Sequence, residues 1–353
     1  MTDTPRIPDL ETAPGAPSVR ALEALCRPRP ARGVEYHPGN ELYGHDLTLK
    51  AWAGLPAGRP LPVLIPHSPH VTRPGILLGE RRAGYPSVVC YIRHLDEGYR
   101  RQCRMAVIRS ASPFLYALAM APAATERPAG VLFFPAHSVP GVGGRDQDWR
   151  ALARELRERA RVWGVVRACL HWADVERRRH LVLEEAGIEV VSAGHPADAQ
   201  FSARLIGLLR RHEVVATNTV GAHVFFALAA GCRLHMFGDD PGFLKEVRWA
   251  NERQGPTIPA LMDDMRRIRA LAADERHDND EALRAYADAY LRRDALLGRD
   301  ELRAAIAWSA ALDRRGTLFT PGAPPLEQVL PRLWYREAKR RTRGLREALP
   351  RRG

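Results

Sequence analysis

Between residues 130 and 237 the chain repeats one pattern, a short apolar run followed by a polar turn and a helix-forming segment. The runs 130–134 (GVLFF), 165–170 (VVRACL), 188–192 (IEVVS), 214–217 (VVAT) and 233–237 (RLHMF) read as buried strands. Their near-continuous apolar character is that of a parallel sheet covered on both faces. Segments 148–162, 175–186, 198–211 and 222–230 read as the connecting helices, the second stopped by Gly187 and the last by Gly231. Such a succession predicts a doubly wound, Rossmann-like α/β domain, which binds ligands outside the carboxyl ends of its strands. The first four runs end in His137-Ser138, His171-Trp172-Ala-Asp174, His195-Pro196 and Thr217-Asn218-Thr219, so a polar rim is expected at that edge.

With 353 residues the chain is long enough for two domains. Residues 1–33, rich in Pro, Ala and Arg, read as an arm with one short helix at 18–26. Residues 34–125 carry runs at 61–65, 87–92 and 105–108 and predict a small first Rossmann-like domain. The stretch 121–128 (APAATERP) reads as a linker, 126–245 as the second and more regular Rossmann-like domain, and 246–353 as a helical extension. Within and before that extension, helices are expected at 241–251, 259–273, 280–297, 301–312 and 326–349.

The net charge of +12 comes almost entirely from arginine, with lysine only at 50, 245 and 339. A basic surface attracts anionic substrates or membrane headgroups. Low aromatic content and the lack of a recognisable reading motif argue against a nucleic-acid partner. The five cysteines are odd in number, widely spaced and mostly inside apolar runs, which suits reduced thiols in the cytoplasm. No membrane-spanning stretch or signal-peptide pattern is seen, so a cytoplasmic protein is expected. The basic run 336–346 offers a peripheral contact with the inner face of the membrane, or simply a solvated helix face.

The turn Asn218-Thr219-Val220-Gly221 precedes an apolar helix that also carries His223. The first amides of a helix have no intrahelical partner and carry the positive end of its dipole, so this turn suits a phosphate. Alternatively, Thr219 caps a core helix. His137-Ser138 runs into a glycine-rich turn at 141–144, whose amides suit the same ligand, although the third glycine of a dinucleotide fingerprint is missing. Trp172, with His171 and Asp174 beside it, offers a plane for a base or sugar and groups for its hydroxyls, unless Asp174 is only a helix cap. In the first domain the loop 36–46, ending in His45 and Asp46, and the strand end Pro66-His67-Ser68 also suit ligand binding, with Asp46 as a cap the plainer alternative. No metal is expected. HExxH and zinc-type Cys/His quartets are absent, and the D-x-D pairs at 146–148 and 278–280 stand where aspartate caps belong. A serine-hydrolase G-x-S-x-G is also absent.

The motifs Leu42-Tyr-Gly-His-Asp46, Ile65-Pro-His-Ser68, Phe134-Pro-Ala-His-Ser-Val-Pro140, Leu170-His-Trp-Ala-Asp174, Ala193-Gly-His195 and Thr217-Asn-Thr-Val-Gly-Ala-His223 resemble those of proteins of bacterial capsule and surface-polysaccharide gene clusters. Those proteins look like glycosyltransferases of the two-Rossmann GT-B architecture, and the resemblance covers about residues 34–245. It implies a cleft between two domains, with a UDP-, GDP- or CMP-linked sugar held mainly by the second and a glycan or lipid-linked acceptor by the first. His137, Ser138, His171, Trp172, Asp174, His195, Thr217, Asn218, Thr219, Gly221 and His223 would then contact the donor. The base would come from His45, Asp46 or His67, and no cofactor beyond the donor is implied. His195-Pro196 with Thr217 and Thr219 is also similar to the His-Pro and Ser/Thr pair of bacterial sialyltransferases. Asp239 and Asp240 stand nearest to the place of the acidic residue that often holds the donor ribose. An epimerase on the same scaffold, or a non-catalytic binding protein of a polysaccharide cluster, fits the same residues.

Overall fold

The computed structural model of the protein describes residues 18–66, 75–122, 130–137, 147–238, 259–274, 276 and 278–312. His67, Ser138, Asp239, Asp240, the glycine-rich turn at 141–144 and the helices expected at 241–251 and 326–349 lie outside the described residues.

The architecture is α/β with parallel sheets. Strands β3 (Val131–Phe134), β4 (Val166–Cys169), β5 (Glu189–Val191), β6 (Val214–Thr217) and β7 (Arg233–Met236) form one sheet in the order β5-β4-β3-β6-β7, with every pair parallel. Chain order therefore reverses between β3 and β6, where Phe134 faces Thr217. A crevice opens outside the carboxyl ends at such a switch point.

Alternation along β3 divides the core. Val131 and Phe133 pack with Leu22 and Cys26 of α1 (Val19–Cys26), with α6 (Trp149–Trp163), and with Trp172 and Val175 of α7 (Trp172–Glu176). Leu183 of α8 (Arg179–Glu185) joins the same layer. Leu132 and Phe134 point the other way, onto α9 (Phe201–Arg210) and α10 (Ala222–Ala229). The two-residue side-chain period of a strand makes this possible. Asp148 caps α6 through the amides of Arg150 and Ala151, as expected. The helix expected at 175–186 is instead two helices, because Arg178 takes a left-handed conformation (φ 60°) between them.

The first half departs from expectation. Among the described residues it holds two parallel strands, β1 (Ser87–Cys90) and β2 (Ala106–Arg109), and a single bridge from Leu64 to Val88, rather than a second Rossmann-like sheet. Residues 61–65 do not form a full strand for a local reason. Pro62 has no N–H to give, and Asn40 occupies the partner position, donating to Val63 O (2.8 Å) and accepting from Ile65 N (2.8 Å). Glu35 accepts from Leu61 N in the same way. Helices α2 (His45–Ala53), α3 (Leu78–Arg82), α4 (Asp96–Cys103) and α5 (Pro113–Met120) surround this small sheet.

The helical extension folds back over both halves. Helix α11 (Pro259–Ala272) leads to α12 (Asp280–Leu291), whose Tyr290 stacks on Phe225 of α10 with ring centres 4.5 Å apart. Just beyond α12, buried Arg292 donates to both carboxylate oxygens of Asp96 (3.1 and 3.2 Å) and to Cys90 O. Helix α13 (Arg299–Leu312) sends Arg303 to Ala53 O (2.7 Å) and Ser309 to Pro62 O (2.8 Å), and the Trp52 indole donates to Leu297 O (3.0 Å) just before it. One apolar cluster consequently runs from Leu49 and Val89 through Phe134 and Val224 to Ile268, Leu283 and Leu302. Among the described residues no helix is long and apolar enough to cross a membrane. Four of the five cysteines are buried and Cys103 is half-buried.

Candidate functional site

Side chains at the carboxyl ends of β3, β4, β5 and β6 form a continuous row in the spatial order of the strands. From β5, His195 packs edge-on against Trp172 (4.7 Å between centres), which follows β4 beside His171. The His171 ring lies 4.6 Å from that of His137, which follows β3. His223, in the first turn of α10, stacks on Phe134 at 5.1 Å. A parallel sheet ends all its strands at one edge, so residues tens of positions apart in sequence become neighbours there.

Three of these imidazoles, those of His171, His195 and His223, are held neutral. Burial drives His171 well below its ordinary range, helped by His137, His195 and Arg177. Burial and the nearby Arg29 guanidinium bring His195 to about 4, against a smaller opposite pull from Asp198. Burial, with His137 adding to it, takes His223 to about 3. His171 Nδ1 is buried without a hydrogen-bond partner among the described residues. Asp198 is spoken for by other groups. Burial works against its charge, but the Gln200 amide, Arg204 (2.9 Å) and Arg29 (2.6 Å) together hold its carboxyl below the usual range.

At the switch point, Asn218 joins the two strand ends by accepting from Ala136 N (2.7 Å), and its amide faces Gln147 (3.4 Å). The Thr217 hydroxyl donates to Phe134 O (2.7 Å), accepts from Thr219 N (3.2 Å) and meets His223 Nε2 (3.0 Å). Thr219 does not cap α10. The capping position belongs to Gly221, and no side chain supplies a cap bond there. No N-cap side-chain oxygen therefore competes for the leading amides of α10, of which that of Val224 donates to Gly221 O (3.1 Å). Gly221 is extended (φ −145°), and a Cβ on it would come 3.0 Å from the His223 ring.

Arg269 of α11 was not among the sequence candidates. It donates to Asn218 O (3.0 Å) and to Gly238 O, bringing a guanidinium to the ends of β6 and β7. Nothing in the spacing of its helix distinguishes it from the arginines around it.

Asp174 is fully buried in the first turn of α7 and is not its cap. His171 holds the capping position, and the Asp174 amide donates to His171 O (2.9 Å). In the first half, Asp46 likewise lies inside α2, whose N-cap is Gly44. Its buried carboxylate is paired with Lys50 (2.9 Å) and Arg32 (2.5 Å), and Lys50 also meets Glu35 (2.5 Å). Glu41 organises the preceding loop by accepting from four consecutive amides, Arg32 to Glu35. His45 is 3 % exposed, and burial brings it to about 4 despite Asp46 beside it.

This loop does reach the carboxyl edge of the large sheet. Tyr43 N donates to Pro196 O (2.6 Å), the Ser202 hydroxyl donates to Tyr43 O (2.6 Å), and Tyr43 packs on Phe201. The turn passes so close that a Cβ on Gly44 would lie 2.5 Å from Ala199 O. The loop 37–45 and the His195 loop are therefore a single packed unit.

A scan against protein-family models and a search of curated proteins found no match to this chain.

Proposed function

We propose that the crevice at the β3/β6 switch point binds the diphosphate of a nucleotide sugar, and that the protein transfers the sugar to a glycan or lipid-linked acceptor of a cell-surface polysaccharide. The observation that carries this reading is the meeting of the α10 N-terminus, Asn218 and the Arg269 guanidinium at the carboxyl ends of two adjacent parallel strands. Such an arrangement binds phosphate through backbone amides and fixed positive charge.

The chain's own groups supply binding and charge stabilisation. The α10 amides and Arg269 face the oxygens that gain charge as the sugar leaves, and they are fixed before the reaction. Trp172, already braced against His195, limits the donor's sugar or base on the β4 side. Neutral His45 has the protonation state of a base, and the contact between Tyr43 and Pro196 brings its loop to the donor edge. Asp46 is left out of the chemistry because both its oxygens face cations in a sealed cluster.

A second reading, a ligand-binding protein without turnover, is favoured by one observation. Both described candidates for the base, His45 and Asp46, are buried, at 3 % and 0 % exposure. Thermal shift against UDP, GDP, CMP, dTDP and ADP, and against their sugar conjugates, tests the shared premise. A ligand at one hundred times its Kd should stabilise the fold by about 2.7 kcal/mol. No shift with any nucleotide would end both readings. A shift without release of free nucleotide in the presence of acceptor glycans would select the second.

A further inference from the structure

Three imidazoles, His137, His171 and His195, stand in one row along the ends of β3, β4 and β5, with the Trp172 indole between the last two. Their charged surroundings are unusually one-sided. His171 faces His137, His195 and Arg177. His195 faces Arg29 and Asp198, and that aspartate is already paired with Arg29 and Arg204. On its other side His137 faces His223, which meets the Thr217 hydroxyl and the Thr219 backbone and stacks on Phe134. The carboxylate nearest in sequence to His171 is Asp174, buried three residues on in α7. Imidazoles so placed repel one another's protons, and His171 Nδ1 is buried without a hydrogen-bond partner among the described residues.

We propose that this row binds a phosphate-type anion by taking up a proton along with it, so that the crevice becomes cationic only when it is occupied. The anion sets a negative charge opposite the row, and a proton on His171 or His195 then becomes a charge-assisted donor to the bound oxygen. No bond to the ligand is made or broken, and the proton comes from solvent. The inference rests on the crevice being the ligand site proposed above. It adds that the ligand is held by charge created on binding, and that an uncharged sugar is rejected. In the empty protein His171 and His195 remain neutral, which spares the core a pair of buried like charges.

Inorganic sulfate is a suitable probe, because it remains a dianion across the range in which histidine titrates. Its affinity, followed by histidine imidazole NMR, should rise as the pH is lowered from about 7 toward 5, approaching tenfold per unit below the value that the bound anion gives the protonated histidine, if one proton is taken up. The resonances of His171 or His195 should change to the protonated form on saturation, and not before. The exposed His137 gives a variant with little risk to folding, and His137→Asn should weaken sulfate binding severalfold. His171→Asn should flatten the pH slope, with circular dichroism confirming that it folds. A pH-independent affinity, His171 and His195 already charged without anion, or no sulfate binding would each overturn the proposal. UDP-, GDP- and CMP-sugars, whose phosphodiesters do not titrate in this range, form the second arm. Their binding with a flat pH profile would leave the nucleotide-sugar function standing and sink the proton uptake. A steep sulfate response with no nucleotide sugar bound would do the reverse.

Discussion

Lowering the pH from about 7.5 to about 5 should destabilise the protein through His45, and replacing that residue should remove a defined share of the loss. His45 is 3 % exposed, its Nδ1 has no hydrogen-bond partner among the described residues, and it begins helix α2. Burial and the positive end of a helix both oppose an imidazolium there. Its native value is about 4, against an ordinary 6.5. Below 6.5 the unfolded chain therefore gains a proton that the native protein refuses, so stability is complete above that value and falls as the pH drops toward 4. At pH 5 the loss from this one group is about 2 kcal/mol, and below both values it reaches roughly 3 kcal/mol. Urea unfolding of the wild type and of His45→Gln at both pH values isolates the contribution, because the other buried histidines act in both proteins. The wild type should lose about 2 kcal/mol more than the variant over that interval, with unchanged denaturant slopes. Equal losses would show that His45 is charged in the native state or reaches water, and would refute the argument.

Removing Lys50 by Lys50→Met takes from buried Glu35 and Asp46 the cation they share, with Arg32 still at Asp46, and it should cost about 3–5 kcal/mol in urea unfolding; a loss under about 1 kcal/mol would show that water enters the cluster. Gly44→Ala combines a left-handed φ of 69° with a Cβ 2.5 Å from Ala199 O, and a loss of about 1–3 kcal/mol is expected, read as a lower urea midpoint. Asn218→Ala strips the Ala136 amide of its acceptor and should cost about 1–3 kcal/mol in unfolding free energy. The same variant should abolish the nucleotide-induced thermal shift, and an unchanged shift would remove Asn218 from the site.

Much of the large sheet was legible because its strands are short, apolar and separated by polar turns. β6 begins and ends where the pattern placed it, at Val214 and Thr217. Asp148 could be read as a cap because aspartate before an amphipathic helix has few other uses. Helix α5 escaped because PFLYALAM is apolar on every side, so no helical period distinguishes it from a buried strand. The run at 61–65 misled for the opposite reason: it has the composition of a strand, but a distant side chain, Asn40, takes its hydrogen bonds. At the site, the histidines were legible because each follows a strand. Arg269 was not, because its role comes from α11 folding back across the sheet, and sequence spacing carries no trace of that contact.

The return of the last helices over the first half also sets an order of events during synthesis. Arg292 closes on Cys90 across 202 residues, Ser309 on Ser87 across 222, and Arg303 on Ala53 across 250. At about 5–20 residues per second, the ribosome needs roughly 10–40 s to make the chain between the first of these pairs. Throughout that interval β1, β2 and the apolar faces of α2 and α5 are without the helices that cover them. Non-local closure of this kind slows folding and exposes sticky surface. The first half is therefore expected to depend on chaperones while the chain is being made, and to be a poor candidate for expression as a separate fragment.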